Sequence, residues 1–247
     1  MANNALAVLE SALRARKLDR TLTTALAPLD RVDAAATAAS TIDPLDAVLR
    51  GGLPRGQLSE IAGPRSSGRT TVVMRMMAAA TGREEIAAVI DTFDRFDVAS
   101  AAAAGIHLAR LLWVRGESQT LAASVLERTI DRALKSLNLV LQAGGFGIVA
   151  LDLADAPLPA LTRIPFTTWL RVQRTIEGSD TACVLLVPQP LARSAGGVTL
   201  TLGTQAARWI GASARSRRFA GLDVDVRVVS PRRRVDGQAA FAAAINE

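Results

Sequence analysis

One stretch of the chain combines the residue types that bind phosphate. It reads GGLPRGQLSEIAGPRSSGRTT over residues 51–71, and four residues separate Gly63 from Gly68. Glycines at this spacing let backbone N–H groups turn toward phosphate oxygens, and the helix that follows adds its positive end. The hydroxyl of Thr70 is placed to hold Mg²⁺. The residues predicted to bind phosphate are Gly63, Ser66, Ser67, Gly68, Arg69, Thr70 and Thr71.

Position 69 departs from the pattern, which has lysine after the second glycine. Arginine keeps the positive charge, but its guanidinium is larger, planar and forked. In a loop shaped for an ammonium group, the guanidinium of Arg69 is able to fill the phosphate site itself. The expected cofactor is therefore weakly bound ATP or ADP with Mg²⁺, or none. A glycine turn without any ligand is the alternative.

Alternating strand and helix patterns position this loop. Strands are predicted over 57–61, 86–91, 111–114, 147–152 and 182–187, with three more strand-like runs at 198–202, 205–211 and 222–229. Helices are predicted over 41–49, 69–81, 97–104, 118–142 and 166–178. This order is typical of an α/β fold with a mostly parallel central sheet, helices on both faces and an antiparallel edge.

Ligands in such sheets bind at the carboxyl ends of the strands. The glycine loop, Asp91, Asp152 and Gln189 all fall at such ends. Their coincidence supports a site there.

The N-terminal segment has a pattern of its own. Leu6, Leu9 and Leu13 repeat at helical spacing over residues 2–18, and a stretch without clear period follows over 19–41. We expect this helix to pack either on its own domain or on a neighbouring subunit. The predicted organisation is an N-terminal helix and linker for oligomerisation or partner docking at 1–38, a core at 39–230 and a basic C-terminal tail at 231–247.

Composition excludes several kinds of site. Among 247 residues there is one cysteine, Cys183, within an apolar run, and one histidine, His107. A buried structural thiol is therefore expected, while metal clusters of histidine and cysteine and Ser–His–Asp triads are excluded. No apolar run reaches the ~20 residues of a membrane span, and the N-terminus has no signal-peptide core. The chain is therefore predicted to be cytoplasmic, without a membrane partner.

The net charge of +6 is carried almost entirely by arginine. A basic balance favours a nucleic-acid or acidic protein partner, although a solvated surface is an equal alternative. Trp113, Trp169 and Trp209 lie in predicted core elements, so they are expected to be buried rather than to stack on bases. The densest basic positions are Arg215, Arg217, Arg218, Arg232, Arg233 and Arg234.

The stretch LDAVLRGGLPRGQLSEIAGPRSSGRTT resembles the RecA recombinase family, whose P-loop reads nearly the same but with lysine. The resemblance extends over about residues 5 to 230. A RecA-like core of this length, with a degenerate catalytic site, resembles the ImuA family. Members of that family are accessory proteins of the damage-induced translesion mutasome.

The resemblance implies roles for single residues. Asp152 matches the aspartate that holds Mg²⁺ through water, and Gln189 matches the glutamine that senses the γ-phosphate. Asp97 matches an aspartate beside the adenine, while Ser100 replaces the tyrosine that stacks on it. The catalytic glutamate of the family falls on Phe93, which cannot orient a water molecule. Together with Arg69, this second loss indicates that hydrolysis is absent.

The resemblance therefore implies a non-catalytic accessory of DNA-damage tolerance, of the SOS type. Its implied partners are RecA, translesion mutasome subunits or both, with weak binding of single-stranded DNA and self-association through the N-terminal helix. One alternative is a DNA-dependent ATPase that forms RecA-like filaments. Another is a regulator of cell division or recombination with a degenerate RecA core.

Overall fold

The structure is a computed structural model that describes residues 36–117, 123–192, 197–230 and 235–244. The predicted helix at 2–18 lies outside the described residues, as do Arg232, Arg233 and Arg234. Within the described ranges, no helix is long and apolar enough to cross a bilayer.

Ten strands and six α-helices are described. The strands are β1 (Thr37–Ala38), β2 (Leu53–Pro54), β3 (Gln57–Ala62), β4 (Ile86–Asp91), β5 (Leu111–Arg115), β6 (Phe146–Asp152), β7 (Ala182–Val187), β8 (Thr199–Ile210), β9 (Arg218–Ser230) and β10 (Val235–Ala244). The helices are α1 (Asp43–Leu49), α2 (Arg69–Gly82), α3 (Val98–Ala103), α4 (Ala123–Ala143), α5 (Leu158–Leu161) and α6 (Phe166–Ile176).

Eight strands form one sheet in the order β10-β9-β8-β3-β7-β6-β4-β5. The strands from β8 to β5 run parallel, whereas β9 and β10 are antiparallel to their neighbours. β1 and β2 pair separately. The predicted α/β class, with a mostly parallel sheet and an antiparallel edge, is confirmed.

Side chains of successive strand residues point to opposite faces, which gives the sheet two apolar layers. On one face, Ile61 and Val89 belong to a cluster with residues of α1, α2 and α3. On the other, Ala62 and Ile90 belong to a cluster with residues of α4 and α6. Cys183 lies in this second cluster, buried as predicted, and burial raises the pKa of its thiol to about 12.

The antiparallel edge differs from its prediction in two ways. The runs predicted at 198–202 and 205–211 form one strand, β8, whose pairing with β9 shifts register between Thr204 and Ala206. An irregularity of this kind interrupts the alternation that sequence patterns reveal, so one strand appeared as two. Residues 235–244, which the sequence assigned to the tail, form β10 and pair with β9 from Val235 to Ala244.

β8 and β9 also continue beyond their other neighbours. β3 pairs with β8 only at residues 199–201, and the described part of β10 reaches only Gly221 of β9. Residues 206–220, here called the arm, therefore form a two-stranded hairpin with no further strand beside it in the described chain. Every arm residue from Ala206 to Phe219 is exposed.

Candidate phosphate-binding site

The glycine loop connects β3 to α2 at the carboxyl end of the sheet. Gly68 adopts φ +89°, and a Cβ there would lie 2.9 Å from Cγ2 of Val224 on β9. A Cβ on Gly63 would come within 2.7 Å of the Leu202 carbonyl oxygen on β8. Both positions therefore require glycine, and the loop packs against the first two strands of the antiparallel edge.

One buried hydroxyl of the loop, that of Ser67, is available to a ligand. The side chain of Ser67 is buried, and its Oγ has no hydrogen-bond partner among the described residues. Thr70 is exposed in the first turn of α2, and Thr71 beside it is half-buried. Because a buried hydroxyl is normally paired, the Oγ of Ser67 has capacity for one more hydrogen bond, which suits a phosphate oxygen.

Arg69 directs its guanidinium into the protein. The residue is only 6% exposed, and its Nη1 donates to the Val187 carbonyl oxygen at the end of β7 over 2.8 Å. The same carbonyl accepts from the backbone N–H of Gly63 at 3.3 Å. Burial lowers the pKa of the guanidinium, although the charges of Asp152 and Asp155 oppose this shift. The cation is thus held at the end of β7.

Asp152 ends β6, and its carboxylate is close enough to Arg69 for their charges to interact. Its Oδ1 accepts from the Ala154 backbone N–H at 2.8 Å. Burial raises the pKa of Asp152 to about 6, with further contributions from the charges of Asp91 and Asp155, while Arg69 acts in the opposite direction. The carboxylate is therefore mostly ionised at neutral pH, at some cost to the fold.

An ion pair joins the loop to the segment after β6. Nη2 of Arg65 lies 2.9 Å from Oδ1 of Asp155. The Arg65 side chain remains largely exposed, so the pair lies at the surface and has little stabilising effect. It does connect the outer part of the loop to the strand that carries Asp152.

Asp91 stands beside Asp152 in the register of β4 and β6, but its oxygens are occupied. It accepts from the backbone N–H groups of Arg95 at 2.8 Å and Phe96 at 2.9 Å, and from Nε1 of Trp113 at 3.1 Å. Asp91 therefore shapes the turn after β4. Among the described residues, no group of three or more His, Cys, Asp or Glu side chains could hold a metal ion.

Phe93 lies in the core. It is 9% exposed and belongs to the same apolar cluster as Leu151, Leu153 and Leu161. Asp94, one residue further, pairs instead with Arg115, whose Nε lies 2.9 Å from Oδ1 of the carboxylate. The position at which the resemblance places a catalytic glutamate thus packs against hydrocarbon.

Two predicted nucleotide contacts lie at exposed positions. Asp97 is exposed and caps α3, where it accepts from the backbone N–H groups of Ala99 and Ser100. These bonds, led by that from the Ser100 hydroxyl, lower the pKa of Asp97. Gln189 is exposed, two residues after the end of β7. The structure thus gives Asp97 a local helix-capping role.

The predicted basic residues that are described lie on another element. Arg215, Arg217 and Arg218 are exposed at the end of the arm.

The RecA N-terminal domain family matches residues 19–155 of the chain, more than half of its length. The chain belongs to the RecA N-terminal domain family. It is 33% identical to Protein RecA of Chlorobium limicola over 109 residues, which are 44% of this chain and 28% of that protein. Identity to Protein RecA of Nostoc sp. is 33% over 129 residues, or 52% of this chain and 32% of that one. The chain thus spans less than a third of the length of these relatives.

The fold has a solved counterpart. A crystal structure of the RadB recombinase aligns with a TM-score of 0.58 at 18% identity, over 83% of this chain and 96% of that chain. The RecA-like architecture of the sheet and its loop is therefore shared.

Sequence reasoning missed a buried glutamate that positions the segment after β7. Glu60 is fully buried in β3, where it accepts from the backbone N–H groups of Leu191 and Ala192 at 2.8 and 3.0 Å. Its other oxygen accepts from Oγ1 of Thr199 at 2.8 Å. Glu60 thereby fixes the segment that follows Gln189. A glutamate inside a strand predicted to be buried was the available signal, because a buried carboxylate needs partners.

The prediction for Trp209 was wrong. Trp169 is buried and Trp113 is half-buried, but Trp209 is 55% exposed on the arm. Its strand continues past the sheet, so a residue in a core-like strand pattern has no layer among the described residues to pack against.

Proposed function

We propose that this RecA family member is a non-hydrolysing accessory protein of DNA-damage tolerance, of the ImuA type. The observation that carries the proposal is the hydrogen bond from Arg69 to the Val187 carbonyl, together with the burial of the guanidinium. A cation engaged in this way neutralises the protein's own groups instead of a transferring phosphoryl group. Phosphoryl transfer depends on such neutralisation and on an oriented water.

The surroundings of Phe93 support the absence of hydrolysis independently. A general base must reach the attacking water within hydrogen-bond distance. Phe93 has no polar group, and the cluster around it is apolar. The ion pair between Asp94 and Arg115 also leaves that neighbouring carboxylate engaged.

Weak nucleotide binding remains part of the proposal. The backbone of the loop and the unpartnered Oγ of Ser67 suit phosphate oxygens. Thr70 and Asp152 would hold Mg²⁺ together with the nucleotide. The ion would neutralise charge at the phosphates. Asp97 and Gln189 are proposed to contact the nucleotide only at the edges of the site.

The proposed partners are RecA, translesion mutasome subunits or both. Support comes from the curated relatives, which carry the name Protein RecA, and from the apolar stripe of the N-terminal segment. We propose that the part of residues 1–38 that precedes β1 docks on RecA or on a second copy of the chain. In this role the RecA-like core recognises its partner and leaves catalysis to it.

A second candidate is a DNA-dependent ATPase that forms its own filaments. Ser67, whose hydroxyl has no partner among the described residues, and the exposed Thr70 favour it, because a loop that receives nucleotide needs hydroxyls that the protein does not engage. ATP hydrolysis distinguishes the two candidates, because the ATPase requires it and the accessory role predicts that it is absent.

Capture of purified RecA by the full-length chain tests the accessory role. The wild-type chain should retain RecA or a translesion polymerase subunit, whereas serine at Leu6, Leu9 and Leu13 together should abolish retention. The matched control is Arg171→Ala, an exposed change on α6 that should retain the partner fully. Equal retention by the triple variant and the wild type would show that the N-terminal segment is not part of the interface. No retention by the wild type would contradict the accessory role.

A further inference from the structure

β10 forms one edge of the large sheet and is long and regular. It pairs with β9 over 10 consecutive residues, from Val235 to Ala244, without a change of register. No strand of the described chain lies on its other side. Because the backbone groups of a strand alternate between its two neighbours, about five residues of β10 direct their N–H and C=O groups outward, where no described strand meets them.

β10 lacks the features that usually protect an edge strand. An open edge invites another strand to pair with it, so most edges carry lysine, proline or a bulge, or are very short. β10 reads VDGQAAFAAA and has none of these features. Its one charged residue, Asp236, lies near one end, with Oδ1 3.9 Å from Nε of Arg227 on β9. At the opposite edge of the sheet, β5 has only 5 residues and ends in Arg115.

The strand is held in place by packing on one face. Ala239 is buried, and the half-buried Phe241 packs against the apolar cluster that contains residues of α1. A Cβ on Gly237 would lie 2.7 Å from Cγ1 of Val48, so α1 packs directly on β10. The side chains that alternate with these are exposed on the other face, and they are Asp236, Gln238, Ala240 and Ala242. Among the described residues, β10 is therefore a fixed strand whose outer edge is open.

We propose that β10 pairs with β10 of a second copy of the chain, antiparallel and about a two-fold axis at Ala240. The arrangement joins the two sheets into one, and each copy satisfies the open edge of the other. A foreign strand would form similar backbone bonds but would leave its own outer edge open. This interface belongs to the core and is distinct from the docking of the N-terminal segment proposed above. It goes beyond the accessory role and holds whether or not the chain binds RecA.

The charge distribution of β10 favours an antiparallel copy. With the axis at Ala240, Asp236 faces Ala244 of the second copy, and the two Asp236 residues are about 27 Å apart, well beyond the screening length of about 8 Å at physiological salt. A parallel pair would place the two carboxylates side by side. Close to the axis, Gln238 faces Ala242 and Ala240 faces itself, so only small or neutral side chains meet.

Sedimentation velocity of the full-length chain over a concentration series tests the dimer. Two paired edge strands bury less than the about 1,200 Å² of a standard interface, so dimers should form in the micromolar range. Ala240→Lys and Ala240→Glu each place two like charges at the axis, and each should raise the dimer dissociation constant about ten-fold or more. The matched control is Ala102→Lys, an exposed change on α3, which should leave the constant within about two-fold.

Mixing the two charged variants separates the proposed pair from other contacts. Lysine and glutamate at position 240 attract each other across the axis, so the mixture should recover dimers that neither variant forms alone. Pairing with an unrelated strand, or association through the N-terminal segment, gives no such recovery. Serine at Leu6, Leu9 and Leu13 together should therefore leave the recovery intact.

An introduced thiol locates the axis. The chain's own cysteine, Cys183, is fully buried, and burial raises the pKa of its thiol, so it does not react. Under mild oxidation, Ala240→Cys should form a disulfide-linked dimer, because the two introduced thiols face each other. Gln238→Cys and Ala242→Cys should crosslink efficiently only when they are mixed. Equal crosslinking of every single variant would indicate a parallel pair and overturn the proposal.

Two further results would also overturn the β10 interface. One is a wild-type chain that stays monomeric throughout the micromolar range, and the other is a mixture of charged variants that recovers no dimer. A chain that fails to retain RecA but shows this recovery would contradict the accessory role and leave the β10 interface standing.

Discussion

The phosphate loop and the arm use their arginines in opposite ways. In the loop, Arg69 is buried and bonded to the Val187 carbonyl, and Arg65 pairs with Asp155. On the arm, Arg215 and Arg217 extend from an exposed turn next to two exposed aromatic rings. The loop lies where the fold places a ligand, yet its charged groups bind the protein itself. The arm lies outside the layered core, and its groups face solvent.

This difference shows that a loop can keep a backbone shaped for phosphate while its charged side chains bind other parts of the protein. The glycines still shape a cradle for phosphate, because Gly63 and Gly68 approach β8 and β9 too closely for any other residue. The cation that would neutralise the phosphate, Arg69, is instead bonded to the Val187 carbonyl. On the hairpin, by contrast, Arg215 and Arg217 are exposed.

The largest expected effect concerns Phe93. Replacing it with alanine should lower the free energy of unfolding by about 3 kcal/mol, because a large core side chain leaves a cavity. Phe93→Glu should cost at least as much, since it also buries a carboxylate among apolar groups. Urea unfolding measures both.

The control for Phe93 is Phe166→Ala at the start of α6. Phe166 is 46% exposed, so its loss should cost under about 1 kcal/mol. A Phe93→Glu variant as stable as the wild type would mean that this position faces the site and not the core.

Asp152 should show the next largest effect. Its pKa in the fold is about 6, above the ordinary 3.8, so the fold favours the protonated carboxyl. The associated stability is complete below the ordinary pKa and is lost as pH rises through about 6. Asp152→Asn should therefore raise the free energy of unfolding near neutral pH by on the order of 1–3 kcal/mol, and by almost nothing at about pH 4.

Thermal unfolding across pH measures this dependence, with Asp131→Asn on α4 as the control. Asp131 is exposed, and its replacement should not alter the pH profile. If Asp152→Asn destabilised the chain at neutral pH, the carboxylate would be a structural requirement and not a retained ligand group.

Arg69→Lys should change binding more than stability. A compact ammonium group would free the site from the forked guanidinium, and one charge-assisted hydrogen bond to a phosphate is worth about a ten-fold tighter dissociation constant for ATP. Calorimetry measures it, and Arg75→Lys on the same helix is the matched control. Unchanged affinity would mean that Arg69 does not obstruct the cradle.

The smallest effect belongs to the Arg65–Asp155 pair. Alanine at both positions, analysed as a double-mutant cycle with the single variants, should give a coupling energy of about 0.5 kcal/mol. Chemical denaturation is the measurement. A coupling energy several times larger would show that this surface ion pair stabilises the loop substantially.

Much of the fold could be predicted because its signals are local. The apolar runs of β3, β4, β6 and β7 and the glycine spacing after β3 were sufficient to locate the loop and the strand ends. The helix-capping role of Asp97 was also available locally, since a serine follows three residues later. The resemblance instead predicted that Asp97 lies beside the adenine of a nucleotide.

Long-range contacts account for what the sequence could not predict. The burial of Phe93 depends on the position of the segment after β6, and the exposure of Trp209 depends on where β3 and β10 stop pairing. Neither is encoded in the local sequence pattern around the residue. The engagement of Arg69 with Val187 likewise joins residues 118 positions apart.

Phosphate release from ATP by the purified full-length chain, with and without single-stranded DNA, tests the central claim most directly. Thr70→Val serves as the control, because any turnover that survives loss of this hydroxyl comes from a contaminating enzyme. The account predicts that wild type and Thr70→Val release phosphate at the same background rate, with no stimulation by DNA. Release that DNA stimulates in the wild type and that Thr70→Val abolishes would contradict the account and establish the chain as an ATPase.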